Sequence, residues 1–249
     1  MIEEIRQAFG FLTRIPLGKG FRHQPEMSGA AVKWYGLVGL TIGALLSLSA
    51  AIMIVWLSIP HTVAGALALA LWIAITGALH LDGLADCGDA VMGGFDKERI
   101  LVIMKDQQIG AGAIVAVVSV LLIKWTSLSW LFSQGAFMVP LFAATLSRIL
   151  LVLTIMEKPY LRAQGLGTGL GDALMRKNVL LDAALLSLVL LLISLPGYVF
   201  SAIGCLLGAI LVWFFIARKI EGYTGDVYGA QVEVAEAGTL VLLAAYLSL

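Results

Sequence analysis

The run 183–217 contains no charged residue. At about 1.5 Å of rise per residue a helix of that length would cross a hydrocarbon core of about 30 Å nearly twice. Backbone in lipid must satisfy its own hydrogen bonds, and Pro196 followed by Gly197 interrupts the run, so two helices are expected with a tight connection between them. Comparable stretches occupy 34–59, 62–81, 110–123 and 135–156, the last carrying Arg148 alone, and a final apolar stretch takes in a few residues before Ala237. The pattern predicts an all-α polytopic integral membrane protein, with about seven transmembrane helices in one domain over 1–249. Lys124 and the serines between Ser127 and Ser133 read as the turn that closes the third span. Ile2, Ile5, Phe9 and Leu12 recur at helical spacing among charges before Pro16, which predicts a short interfacial helix at the N-terminus. The charges between Met1 and Arg22 leave no apolar core for a signal peptide, so the first span is expected to stay in the mature protein.

Charge placement sets the orientation. The chain has no net charge, and nothing in it provides the basic field that nucleic acid requires. With the N-terminus in the cytoplasm, Arg6, Arg14, Lys33, Lys97, Arg99, Lys105, Lys158, Arg162, Arg176, Lys177, Arg218 and Lys219 all fall on the cytoplasmic side, as do Lys19 and Arg22. That orients the ionisable chemistry toward the cytoplasm, and the expected location is the inner (cytoplasmic) membrane of a cell. Gly39 with Gly43, and Gly204 with Gly208, give small-xxx-small faces suited to helix contact, including contact with a second copy. Two cysteines, Cys87 and Cys205, are too few for a disulfide framework or a zinc site.

His80-Leu81-Asp82-Gly83-Leu84-Ala85-Asp86-Cys87-Gly88-Asp89 follows the second apolar run. On a helix Asp82, Asp86 and Asp89 fall within about 60° of one another. Carboxylates that close repel, and a hard divalent cation, most simply Mg²⁺ with phosphate oxygens completing its shell, keeps them ionised together. An acidic start that only complements a helix dipole would look similar, but would not need the mouth of a membrane helix. Asp226 stands between Gly225 and Val227 in a second polar loop, and Glu233 and Glu236 continue from it into the last span, where carboxylates are costly. Two acidic clusters facing one cavity suit metal-bridged diphosphate chemistry. Lys105 and Asp106 precede the third span, and their spacing fits a snorkelling helix end as well as a charge partner. Arg148, deep in the fourth run, is either half of a structural ion pair or a clamp on phosphate. His80 could be a ligand, a base or a plain hydrogen-bonding residue. The glycine-rich 165–171 stretch lacks a nucleotide-binding pattern and reads as a loop over the cavity.

Taken together, Phe11-Leu12-Thr13-Arg14-Ile15-Pro16, His80-Leu81-Asp82-Gly83-Leu84-Ala85-Asp86, Met104-Lys105-Asp106 with Ile109-Gly110, and Gly222-Tyr223-Thr224-Gly225-Asp226 with Gly229-Ala230 resemble the adenosylcobinamide-GDP ribazoletransferase family, the cobalamin (5′-phosphate) synthases. The resemblance runs from near the N-terminus to Glu236. It implies a Mg²⁺-dependent membrane transferase that joins adenosylcobinamide-GDP to α-ribazole or its 5′-phosphate, late in cobalamin biosynthesis, and releases GMP. The expected catalytic residues are Asp82, Asp86, Lys105 and Asp226. Arg14, His80, Asp106, Arg148 and Thr224 are expected to bind substrate, and Asp82, Asp86, Asp89, Glu233 and Glu236 to hold metal. The 5′ hydroxyl or 5′ phosphate of α-ribazole is the expected nucleophile. A CDP-alcohol phosphotransferase shares membrane helices and an Asp-Gly motif, but Leu79 and Asp86 break its D-x-x-D-G-x-x-A-R pattern. A cation-coupled transporter would place ionisable groups near the midplane, which the apolar runs offer only at Arg148.

Overall fold

The computed structural model describes residues 1–16, 27–158, 160–162 and 176–249. The glycine-rich 165–171 stretch, Lys19 and Arg22 lie outside the described residues. In chain order the helices are α1 (Ile2–Leu12), α2 (Ser28–Ala31), α3 (Tyr35–Ala51), α4 (His61–Thr76), α5 (Leu79–Gly93), α6 (Lys97–Ile103), α7 (Ala111–Ser133), α8 (Val139–Glu157), α9 (Arg176–Ile193), α10 (Leu195–Val212), α11 (Arg218–Ile220) and α12 (Gly225–Leu247). A 3₁₀ turn leads into α3, and π-helical turns extend α3 to Trp56 and α10 to Ala217. Among the described residues there is no strand, and the lone β-bridge joins Tyr160 to Tyr223.

Five helical stretches are long and apolar enough to cross a membrane, and a sixth counts if α4 and α5 are one broken span. The protein is therefore a multi-pass helical membrane protein. The apolar runs of the sequence are all helical, and α9, the one run outside this set, opens on Arg176 and Lys177 and carries Asp182. Ser194, three residues before Gly197, caps α10 by accepting from the Gly197 N–H at 3.0 Å, and Pro196 sits in its first turn, where its missing N–H costs nothing.

Two expectations about spans are corrected. Lys124 does not close the third span: α7 runs through it to Ser133, and Lys124 is 2% exposed inside the bundle. The N-terminal helix does more than lie on a surface, because Gln7, Ala8 and Leu12 are buried and Glu4 binds Lys33 Nζ at 3.0 Å and Trp34 Nε1 at 3.1 Å. It is docked onto the start of α3.

The bundle is assembled around α12, which packs against α10, α5, α8 and α7. Lipid supplies no hydrophobic drive between helices, so contact depends on how closely their backbones approach. Gly204 and Gly208 of α10 lie against the backbone of Gly238 and Ala235 on α12, and Gly39 and Gly43 of α3 against that of Ala144 and Leu141 on α8. Both small-residue faces expected to serve contact with a second copy are thus occupied inside the chain.

Between α4 and α5 the chain turns by 94°. Gly77 and Ala78 make this elbow with φ of 63° and 57°, a left-handed conformation that glycine adopts freely and alanine only with strain. Past it, α5 lies across the ends of two spans. A Cβ on Gly83 would come within 2.6 Å of the Asp226 carbonyl oxygen at the start of α12, and one on Gly88 within 2.6 Å of the Gly112 carbonyl oxygen at the start of α7. The elbow thus brings the acidic motif to the end of the bundle where α7 and α12 begin.

Candidate active site

Because α5 crosses the start of α12, its acidic face meets Asp226. Phe11, Tyr35, His80, Asp82, Tyr160, Arg162, Asp226 and Tyr228 are among the residues that line a cavity of about 130 Å³ there, with Leu151 and Ile155 of α8 adding apolar wall. Asp82 is exposed and Asp86, one turn on, is half-buried. Burial pushes the Asp86 carboxyl up to about 7, and the neighbouring charges of Asp226, Asp82 and Asp89 add to the shift while Arg162 opposes it. The acidic spacing read from the sequence is therefore a crowd of carboxylates short of positive charge.

Arg162 supplies part of that charge and was not singled out by sequence reasoning. Its Nη2 donates to Asp226 Oδ2 at 2.7 Å and reaches the Met104 carbonyl at 3.4 Å, and its buried Nε has no partner among the described residues. The signal available was a basic residue one short segment beyond α8, on the side where α12 begins. Thr224, expected to bind substrate, caps α12: its hydroxyl accepts from the Val227 N–H at 3.3 Å and donates to Asp226 Oδ2 at 3.3 Å.

Asp89 is drawn off in a different direction. Its two carboxylate oxygens accept from the Gly110 N–H at 2.7 Å and the Ala113 N–H at 2.8 Å, so it caps α7 and ties α5 to it. Glu233 and Glu236 lie deeper, where both bind Lys124 and Glu236 also binds Arg148. Arg148 is fully buried; its Nη1 donates to the Ser147 hydroxyl at 3.0 Å, and its Nη2 lies 3.4 Å from His80 Nδ1. A guanidinium has no acceptor, so Nδ1 is the acceptor in that contact. The metal set expected from the sequence is consequently not assembled: Glu233 and Glu236 are committed to Lys124 and Arg148, and Asp89 to backbone. Among the described residues no three acidic, histidine or cysteine side chains converge closely enough to hold a metal ion alone.

The remaining expected residues stand at the margins. Lys105 and Asp106 are exposed in the turn after α6, where Asp106 Oδ1 accepts from the Gln108 N–H at 3.1 Å, and neither lines the cavity. Arg14 packs against the elbow: its backbone N–H donates to the Ile75 carbonyl at 2.7 Å, and a Cβ on Gly77 would come within 2.7 Å of its Cγ. Of the residues expected to act on substrate, the structure brings together Asp82, Asp86, Asp226 and His80, with Arg148 behind His80.

A helical membrane protein with a crowd of carboxylates and a guanidinium at the end of its bundle has the equipment of an enzyme acting on phosphorylated compounds at a membrane face. The chain belongs to the cobalamin-5-phosphate synthase family, which it matches over residues 4–244. It is 41% identical over 239 residues to a protein of Pseudomonas aeruginosa (strain PAO1) named adenosylcobinamide-GDP ribazoletransferase, covering 95% of this chain and 96% of that one. Relatives of the same name from Pseudomonas paraeruginosa (strain PA7) and Pseudomonas fluorescens (strain Pf0-1) are 39% and 38% identical, each over 244 residues, covering 98% and 96% of this chain and 98% of each relative. No solved structure matches the chain.

Proposed function

We propose that this protein joins adenosylcobinamide-GDP to α-ribazole or its 5′-phosphate and releases GMP, in the inner membrane, with its cavity open to the cytoplasm. Family membership supports the transferase reading, and the observation that carries it to a site is the meeting of Asp82, Asp226 and Arg162 on one cavity at one end of the bundle, with Asp86 close enough to feel all three charges. Confinement of nearly all basic residues to the ends of helices on that side supports a cytoplasmic face.

The nucleophile differs from the one expected above. A family named for a cobalamin 5-phosphate retains phosphate at that position in its product. A secondary hydroxyl of the ribose must therefore attack. Its oxygen bonds to the phosphorus that carries the cobinamide, the bond from that phosphorus to the bridging oxygen breaks, and GMP leaves with the bridging oxygen. Asp226, which lines the cavity, is placed to take the hydroxyl proton. Arg162 offers the departing phosphate a partly buried guanidinium, and His80 lines the same wall with its ring oriented by Arg148.

Mg²⁺ fits the donors present, since Asp82 and Asp86 are hard carboxylate ligands in a cluster with excess negative charge, and substrate diphosphate would supply further oxygens. Held there, such an ion would supply positive charge to the substrate diphosphate. The test is to mix purified protein with adenosylcobinamide-GDP, α-ribazole and Mg²⁺ and look for GMP. Asp82→Asn and Asp86→Asn, which keep size and remove charge, should each lower its release by about a hundredfold or more while the protein stays folded. Full activity in either variant removes that carboxylate from the site.

A further inference from the structure

On the side of α5 away from its acids, the packing leaves an apolar crevice of about 340 Å³. At about 100° per residue Leu84, Cys87 and Val91 fall on the face of α5 opposite Asp82, Asp86 and Asp89, and they form one wall of it. Ala116, Ser119 and Val120 of α7 form a second wall. Leu211 of α10 and Phe215 of the π-helical turn that extends it form a third, and Val234 of α12 lies between. Among the described residues no charged side chain lines this space.

Unfilled space of that size forfeits dispersion contacts on every wall, so an occupant is favoured. Water is a poor one, because each molecule needs several polar partners and these walls are apolar side chains apart from the Ser119 hydroxyl and the Cys87 thiol. The residues at the mouth point to another. Met92, Val115, Leu211 and Phe215 line the crevice and are 63%, 55%, 50% and 49% exposed. Val115 and Leu211 stand on spanning helices, beside Ile114 and Ile210, which are exposed on the same helices and lie outside the crevice. The crevice is therefore continuous with the surface that the bundle presents to lipid. A second copy of the chain does not fit it, since a helix about 10 Å across would fill 340 Å³ with less than one turn. A hydrocarbon chain is thin enough to enter.

We propose that one acyl chain of a membrane phospholipid occupies this crevice, between α7 and α10 and against the apolar face of the helix that carries the acids. The proposal rests on the spanning helices and not on the transferase reading. It gives α5 a support beyond the elbow and its contacts with the starts of α7 and α12, with carboxylates on one face and hydrocarbon on the other.

The test places the full chain in phosphatidylcholine nanodiscs that contain a fraction of phosphatidylcholine with a diazirine partway along one acyl chain. After irradiation the labelled residues are mapped by mass spectrometry. Leu84 and Cys87 are 6% and 4% exposed, so lipid that merely surrounds the bundle does not reach them, whereas it does reach Ile114 and Ile210. The expected result is labelling at Leu84 or Cys87 as well as at Ile114 and Ile210. Ser119 is exposed on α7 and lines the crevice, so Ser119→Phe fills the space from a position that tolerates bulk. That variant should lose the label at Leu84 and Cys87, down to the level seen without the probe lipid, and keep it at Ile114 and Ile210. Ser119→Ala, which leaves the space open, should keep both. Wild type labelled only at Ile114 and Ile210 overturns the proposal, as does labelling of Leu84 and Cys87 that survives Ser119→Phe. A disulfide between two copies of Ser119→Cys in the nanodisc would give the crevice to a second chain and overturn it equally. If Ser119→Phe fails to fold, the wild-type pattern at Leu84 and Cys87 still decides the matter.

Discussion

At the scale of single residues, the cavity asks carboxylates to be where water and charge disfavour them. Asp86 titrates near 3.8 when unfolded and is pushed up to about 7 in the fold, so the folded state holds its proton more tightly. Its contribution to stability is whole below about pH 4 and is lost as pH rises through 7. With divalent ions chelated, the melting temperature in detergent should fall between pH 5 and pH 8, and Asp86→Asn should flatten that slope and melt higher than wild type at pH 8. An unchanged slope in the variant would assign the pH dependence to another group. Arg148 is the opposite case, since its charge is met by Glu236. Arg148→Ala leaves Glu236 with Lys124 alone and should destabilise the protein by about 3–5 kcal/mol, and Glu236→Gln in the same chain should recover much of that. Thermal stability of the single and double variants checks it; a single variant as stable as wild type would show that the pair contributes nothing. The sequence left Arg148 balanced between a clamp and an ion pair because its partner lies 88 positions away. Lys124 was misread for the same reason: a lysine inside an apolar run looks like the run's end until glutamates 109 and 112 positions further on are placed beside it.

At the scale of elements, α5 and its two contacts decide where the acids stand. Gly83→Ala puts a methyl against the Asp226 backbone, within 2.6 Å of its carbonyl oxygen, and neither backbone can yield without moving a helix. The expected cost is about 1–3 kcal/mol of overpacking together with a loss of GMP release larger than the loss of stability explains. A variant that releases GMP at the wild-type rate would show that the fit of α5 on α12 is not what sets the site. The helices themselves were legible from apolar runs, and the common face of Asp82 and Asp86 from helical spacing. The 94° elbow was not, because it depends on Ala78 adopting a left-handed conformation that its side chain gives no reason to expect. Nor was the division of labour among the acids. Spacing puts Asp89 on the same face as Asp82, and only the arrival of the start of α7 turns it into a cap.

At the scale of the whole molecule, orientation is open to direct measurement. Single cysteines at Glu157 and Lys219, both exposed, should be shielded from an impermeant thiol reagent in intact cells, while one at Gln134, exposed at the far end of α7, should be labelled. Labelling of Lys219→Cys from outside would invert the orientation. The pairing of Glu233 and Glu236 with Lys124 and Arg148 also bears on how such a chain enters a bilayer. Of the five spanning stretches α12 is the least apolar, with a mean hydropathy of 1.3 against 2.0 to 2.5 for the others. Charged residues at a helix centre each cost about 3 kcal/mol at insertion, and two glutamates bring α12 near the point where it would not partition alone. Its countercharges are on α7 and α8, which leave the ribosome earlier. α12 can therefore enter against a surface already made to receive it, because the helices that carry its countercharges precede it in the chain.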